Sequence, residues 1–292
     1  IEPGDWSSDV CSSDLDDEDK LMSALKKLSD EDPTFVVKQD DESGQLLISG
    51  MGELHLDILM DRLKREFNVA CNHGKPRVTY KEAVRETILH TETFKRQTGG
   101  KGSYAQLAFQ ITPSDDEAKG LTFSSQVKGG AIPKEYISGA EKGFEIAMKN
   151  GAYGFPLEAL NVTILDGSAH TVDSDAMSFE ICAKRGFREA IRGAKVAILE
   201  PIMRVEIITP DEYVGSVSSD LNRRRAVVEQ VEAKIAFQTI KALVPLAEMF
   251  GYVTALRSLS SGRANYSMEF HSYAEVPADI KEYILNVGRF TF

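Results

Sequence analysis

Cysteine, tryptophan and histidine are scarce in this chain: three, one and five among 292 residues. Cys11, Cys71 and Cys182 are odd in number and far apart. That excludes a disulfide framework and points to a reducing, cytoplasmic compartment. Each reads as a small buried or incidental side chain. No apolar run approaches the roughly 18 residues of a membrane span, so no membrane partner is expected. The first residues lack the basic stretch and apolar core of a secretory signal. The histidines, His55, His73, His90, His170 and His271, lie in different segments, and H-E-x-x-H is absent.

An excess of basic charge is missing as well. The net charge is −11, the wrong sign for a general nucleic-acid binder. The acidity is local, however. Residues 1–19 hold eight acids and no Lys or Arg, so the other 273 residues carry only −3. Local cationic patches can therefore still act. Within this opening stretch, IEPGDWSSDVCSSDL (Ile1–Leu15) repeats SSD, has no helical or strand period, and reads as a disordered tail or foreign sequence.

Complete catalytic signatures are also lacking. RQTGGKGSY (Arg96–Tyr104) has no G-x-x-x-x-G-K-[ST], because Gly102 follows Lys101. It reads as a flexible loop flanked by Lys95, Arg96 and Lys101, whose cations and accessible N–H groups suit phosphates; a solvated hairpin loop is the alternative. DESG (Asp41–Gly44) matches D-x-x-G but sits in a predicted turn. GMGELHLD (Gly50–Asp57) reads as a helix start with a first-turn acid. DGSAHTVDSD (Asp166–Asp175) has the residue types of a metal or proton-transfer site. A metal-dependent hydrolase centred on His170 with Asp166 and Asp173 is one reading. The other is a turn at Gly167 and a helix capped by Asp173 or Ser174. NRRR (Asn222–Arg225) closes a predicted helix, where cations are favoured whether or not they meet phosphate.

The periodicities give an order of elements. Leu21, Leu25 and Leu28 share a helix face; Phe35–Gln39 and Gln45–Ser49 form a hairpin; Leu56, Leu59, Leu63 and Phe67 mark a second helix; Arg77–Lys81 is a strand. A middle region adds a strand at Leu107–Ile111, a helix from about Pro133 to Gly151, a strand at Asn161–Leu165 and a helix at Ala176–Arg192. The last region runs β-α-β-β-α-β. It has a strand through Met203–Ile207, a helix through Val214–Leu221, strands at Val227–Val231 and Ile235–Ile240, a helix through Leu246–Leu256 and a strand through Tyr266–Phe270. Pro277–Leu285 is a closing helix. The fold class is α+β.

Six runs, in order, resemble the C-terminal part of the elongation factor G family of ribosomal translocases. They are ISGMGELHLDILMDRLKREF (Ile48–Phe67), RQTGGKGSYA (Arg96–Ala105), GGAIPKEYI (Gly129–Ile137), DGSAHTVDS (Asp166–Ser174), LEPIMRVEI (Leu199–Ile207) and VPLAEMFGYVTALRS (Val244–Ser258). The resemblance covers about residues 18–285. It implies three domains, two ferredoxin-like units flanking a ribosomal-S5-like one: domain III at 16–87, domain IV at 88–198 and domain V at 199–276. Residues 1–15 stay apart as an unmatched acidic segment, and 277–292 form a C-terminal helix and tail. The resemblance places GTP and Mg in a GTPase domain ahead of this stretch, so the chain itself is expected to hydrolyse no GTP and to hold no cofactor or metal.

The expected partner is the ribosome: ribosomal RNA, and tRNA with mRNA at the decoding region, met by a monomer. By resemblance, the tip of domain IV supplies RNA contacts from Gly99, Gly100, Lys101, Gly102, Ser103, Asp166, Gly167, Ser168 and His170. Lys95, Arg96, Arg223, Arg224 and Arg225 are candidate phosphate contacts. Ser103, Ala169 and Thr171 depart from the family's usual residues at the tip. Gly4–Leu15 matches nothing in the family and replaces most of the first strand of domain III. That predicts a gap in its sheet and the lowest stability of the three domains. A paralogous ribosomal protection or recycling factor of the same architecture is the alternative within this class.

Overall fold

The computed structural model describes residues 5–9, 15–39, 46–50, 53–69, 78–97, 102–114, 120–128, 131–234 and 236–288. The chain separates into two compact units: residues 1–79 with 200–274, and residues 80–199 with 275–292. The fold is α+β throughout.

The first unit begins with β1 (Asp5–Asp9), α1 (Leu15–Glu31), β2 (Val36–Gln39), β3 (Leu46–Gly50) and α2 (Glu53–Glu66). Leu21, Leu25, Leu28, Leu59 and Leu63 are buried with Phe35 and Ile48, as the helical spacing requires. The DESG turn lies outside the described residues. The expected gap in the sheet is not there. β1 pairs antiparallel with β3, giving the order β1-β3-β2, and it comes from the very segment that shows no strand period. Backbone pairing along the β3 edge needs no particular side chains, so DWSSD serves as a strand. The register shifts between Trp6 and Asp9.

The second unit opens with β4 (Lys81–Val84), four residues beyond the start of the expected strand at Arg77–Lys81 and in a different sheet. β4 pairs with the first residues of β9 (Val196–Thr209), Glu82 opposite Ile198. Between them come β5 (Ile88–Arg96), β6 (Ser103–Pro113), β7 (Gly120–Ser125), α3 (Lys134–Ala147), β8 (Ala159–Ser168) and α4 (Ala176–Arg192). The sheet order is β5-β6-β8-β7, with β7 and β8 parallel and the other pairs antiparallel. Alternate residues of β6 and β8 (Ala105, Leu107, Phe109, Ile111, Leu160, Val162, Ile164) face one core. Phe144, Phe179 and Phe187 of the two helices fill that core from the other side. Cys182 lies in it, its thiol donating to the carbonyls of Glu92 and Ala105 at 3.5 Å each, and burial pushes the thiol up to about 11. It is a packed side chain, not a nucleophile. Cys11 and Cys71 lie outside the described residues.

The first unit resumes along β9 and adds α5 (Val214–Arg223), β10 (Val227–Lys234), β11 (Phe237–Pro245), α6 (Tyr252–Leu259) and β12 (Asn265–Glu275). The strand order β10-β11-β9-β12 is the ferredoxin-like one, and both helices share one core with the sheet. The helix expected through Leu246–Leu256 is two pieces. Leu246–Glu248 is a single 3₁₀ turn, and Gly251 at φ 69° breaks the chain before α6 begins. Only glycine adopts that conformation cheaply, so the apolar spacing ran across a real boundary. α7 (Ala278–Gly288) returns to the second unit and packs Ile284 against Ile198 and Val276. No described helix is long and apolar enough to cross a membrane.

Candidate nucleic-acid interface

One end of the second unit gathers the residues singled out in the sequence. β5 ends at Arg96, β6 begins at Ser103 opposite it, and β8 ends at Ser168 opposite Gln106. α4 begins there too. So does α3, because Gly139 lies against Ala176 and Gly143 against Glu180, a parallel arrangement. Asp166–Ser168 of the polar run therefore complete β8, and only Ala169–Asp175 form a loop. Gly99, Gly100 and Lys101 lie outside the described residues.

The loop is held by its own acids and hydroxyls. The Asp173 carboxylate accepts the Gly102 N–H at 2.9 Å, and the Asp173 carbonyl accepts the Tyr104 N–H at 2.7 Å. Ser174, 6% exposed, donates to the Tyr104 carbonyl at 2.7 Å and accepts the His170 N–H at 2.8 Å. Tyr136, in the first turn of α3, donates to the Ser174 carbonyl at 3.0 Å. A further chain runs along the sheet: the Tyr104 hydroxyl meets Ser168 Oγ at 2.8 Å, and Ser168 donates to Gln106 Oε1 at 3.1 Å. Gly167 is obligatory here. A Cβ on it would lie 2.4 Å from the Gln106 carbonyl oxygen and 2.6 Å from Ile132 Cδ1.

This geometry corrects two expectations. Neither Asp173 nor Ser174 caps α4; Asp175 does, accepting from the Ser178 N–H and hydroxyl at 2.7 Å each. Asp175→Ala should cost about 1 kcal/mol, read as faster amide exchange in the first turn of α4. Nor are the N–H groups of Gly102 and Tyr104 accessible to phosphate, because Asp173 already occupies both. Those two N–H groups therefore cradle no phosphate.

His170 is half-exposed. Its Nδ1 accepts from the N–H groups of Val172 and Asp173 at 3.4 and 3.3 Å. Nδ1 also stands 3.4 Å from Asp173 Oδ2, and Nε2 is left without a partner among the described residues. Asp173 is engaged with Gly102, and Asp166 accepts the N–H of Gly167 at 2.8 Å. Among the described residues, no group of three His, Cys, Asp or Glu is placed to hold a metal ion.

The cations divide. Lys95 and Arg96 are exposed at the end of β5. Arg223 is exposed at the end of α5. Arg224 and Arg225 are committed inside their own domain. Arg224 pairs with Asp220 at 2.8 Å, donates to the Glu248 carbonyl and stacks over Tyr252 at 4.9 Å. Arg225 grips Glu200 through two bonds of 2.7 and 2.9 Å and reaches Glu248 at 3.2 Å. These contacts hold Arg225 at φ 58°, an unusual conformation for a side chain with a Cβ. Internal partners thus replace the phosphates expected for those two residues.

Three family models match consecutive stretches of this chain: elongation factor G domain III over residues 7–75, elongation factor G domain IV over 76–195, and the elongation factor G C-terminus over 197–284. The chain belongs to the elongation factor G family. The domain III match begins inside the stretch that stood apart in the sequence, where β1 now lies. Elongation factor G of Cytophaga hutchinsonii is 51% identical over 270 residues, 92% of this chain. Elongation factor G of Karelsulcia muelleri is 52% identical over 264 residues, 90% of this chain. The aligned stretch is 38% of the length of each of these relatives. A crystal structure of a protein from Thermus thermophilus matches all of this chain and 44% of its own, with a TM-score of 0.86 at 33% identity. The clasped tip lies in the stretch matched to domain IV of elongation factor G.

Sequence reasoning missed Asp173, Ser174 and Tyr136 as the residues that hold the tip. No local signal could have revealed them. The Asp173–Gly102 bond spans 71 residues and exists only once β6 and β8 are paired.

Proposed function

We propose that this stretch of chain binds the ribosome as a monomer in the cytoplasm and promotes movement of tRNA and mRNA. The tip of its domain IV enters the decoding region. The observation that carries the reading is the uninterrupted succession of domain III, domain IV and C-terminal matches. The tip supports it physically. A narrow end built from Gly102, Ser103, Gly167 and Ser168 lets RNA approach the backbone closely. The half-exposed imidazole of His170 offers Nε2 for a hydrogen bond with a ribose or base. Lys95, Arg96 and Arg223 supply charge for phosphate, with Gly99, Gly100 and Lys101 completing the loop between β5 and β6. On this reading GTP and Mg belong to the part of the relatives that this stretch does not align with, and no residue here performs a catalytic step.

Cosedimentation of the 292-residue protein with ribosomes tests this. Binding is expected at about 50 mM salt and should weaken at least tenfold by about 200 mM, because phosphate contacts release counterions. Absence of binding at low salt, while the amides of β6 and β8 remain protected from exchange, would rule the reading out.

A further inference from the structure

We infer that Asp173 is a positioning residue that presents Gly102, Tyr104 and His170 to RNA as one surface; this rests on the ribosome-binding reading above. Its three polar groups act in three directions. The carboxylate holds Gly102, at the end of the loop from β5 to β6. The carbonyl holds Tyr104, at the start of β6. The N–H and carboxylate Oδ2 both face Nδ1 of His170, at 3.3 and 3.4 Å. One residue therefore aligns Gly102, the strand start and the exposed imidazole.

Asp173 works through these neighbours and need not touch RNA. Its carboxylate lies against both Gly102 and the His170 ring: a Cβ on Gly102 would stand 3.2 Å from Asp173 Cγ, and Oδ2 is 3.4 Å from His170 Nδ1. Ser174 anchors the same segment from the buried side, through Tyr104 and His170. Without the carboxylate, Gly102 loses its tether while the sheet beneath keeps its pairing. An RNA surface assembled from Gly102, Tyr104 and His170 then has to be ordered during binding, which weakens it. Charge is not what the tether needs. An amide oxygen can accept the same N–H, so asparagine should restore the clasp.

The test is a double-mutant cycle on ribosome binding at about 50 mM salt, with amide exchange measured on the same proteins. Asp173→Ala should expose the Gly102 amide, leave the Leu107 and Val162 amides protected, and weaken binding about tenfold. His170→Ala should weaken binding by a similar factor. The double variant should be little weaker than either single one, because a misplaced imidazole contributes nothing further to lose. Asp173→Asn should protect Gly102 again and bind within about threefold of the parent protein. The proposal fails if Asp173→Ala exposes Gly102 yet binds normally. It also fails if the two losses multiply, or if asparagine restores the amide without restoring binding. Failure of the parent protein to bind would instead remove the function on which the proposal rests.

Discussion

Replacing Glu82 with alanine should destabilise the second unit by about 3 kcal/mol. Glu82 is fully buried in the middle of β4. Its backbone is used on both sides: the N–H donates to the Pro156 carbonyl, the carbonyl accepts from Glu158, and the residue pairs across to Ile198. Its carboxylate gathers the loop that follows α3, accepting the N–H groups of Ala152 at 2.6 Å, Tyr153 at 2.8 Å and Phe155 at 3.0 Å. Among the described residues these backbone dipoles, not a lysine or arginine, stabilise the charge. The loop is shaped around the acid: a Cβ on Gly151 would lie 2.3 Å from Glu82 Oε2. Truncation removes several charge-assisted hydrogen bonds together, each contributing about 1.5–3 kcal/mol, and water at the partly exposed loop recovers some of that.

The pH dependence has a definite sign. Burial raises the Glu82 carboxyl above its ordinary 4.5, and the N–H groups of Tyr153, Phe155, Ala152 and Gly154 offset this only in part. The folded protein therefore keeps this proton to higher pH than the unfolded chain. Stability linked to Glu82 is fully present below pH 4.5, the ordinary value that the unfolded chain keeps, and is lost as pH rises through the raised folded value. Glu82→Gln should remove that decline while keeping part of the loop's hydrogen bonding. Amide exchange of β4 and of residues 152–155 across pH measures both effects. Equal protection in Glu82→Ala and the parent protein would refute the account.

Glu82 also marks the limit of what the sequence disclosed. It stands just beyond a short strand assigned to the wrong sheet, and nothing around it announces a buried acid. The long amphipathic elements behaved otherwise. Leu56, Leu59 and Leu63 and the alternation of Leu107, Phe109 and Ile111 are buried as their spacing demands, because one face of each element must leave water. β1 escaped notice because its pairing is made by backbone groups, which DWSSD has like any other segment. Gly251 escaped because Leu246 and Val253 keep helical spacing across a break. At the tip, residue types indicated a polar, close-approaching end, yet the division of labour depends on tertiary pairing. Asp173 and Asp175 are two residues apart and look alike. One holds Gly102, 71 residues away, and the other caps a helix.

The second large effect concerns a glycine in the middle of a helix. Gly143→Ala should destabilise the second unit by about 2 kcal/mol, although alanine favours helix over glycine by about 1 kcal/mol. α3 and α4 approach along Gly139 and Gly143. A Cβ on Gly143 would lie 2.5 Å from the Glu180 carbonyl oxygen and 2.8 Å from Ala183 Cβ, and one on Gly139 would lie 2.4 Å from the Ala176 carbonyl oxygen. The first obstacle in each case is backbone, which cannot rotate aside. The helices must separate, and Phe144, Phe179 and Phe187 lie between them and the sheet. Overpacking of this kind costs about 1–3 kcal/mol, and contact with an oxygen at this range belongs at the upper end, so the clash exceeds the propensity gain. Gly215 in α5 supplies the comparison, since a Cβ there meets nothing within 4 Å. Gly215→Ala should be neutral or stabilising by about 0.5 kcal/mol. Amide exchange in α3 and α4 for Gly143→Ala, and in α5 for Gly215→Ala, distinguishes the two glycines, and slower exchange in α3 and α4 in Gly143→Ala would show that propensity outweighs packing. The loss should also reach the tip. α3 and α4 both begin beneath it, and Tyr136 ties the first turn of α3 to Ser174. Separated helices would pull that hydroxyl from the loop and loosen the clasp from below, so Gly143→Ala should speed exchange of the Tyr104 amide and, on the function proposed above, weaken ribosome binding.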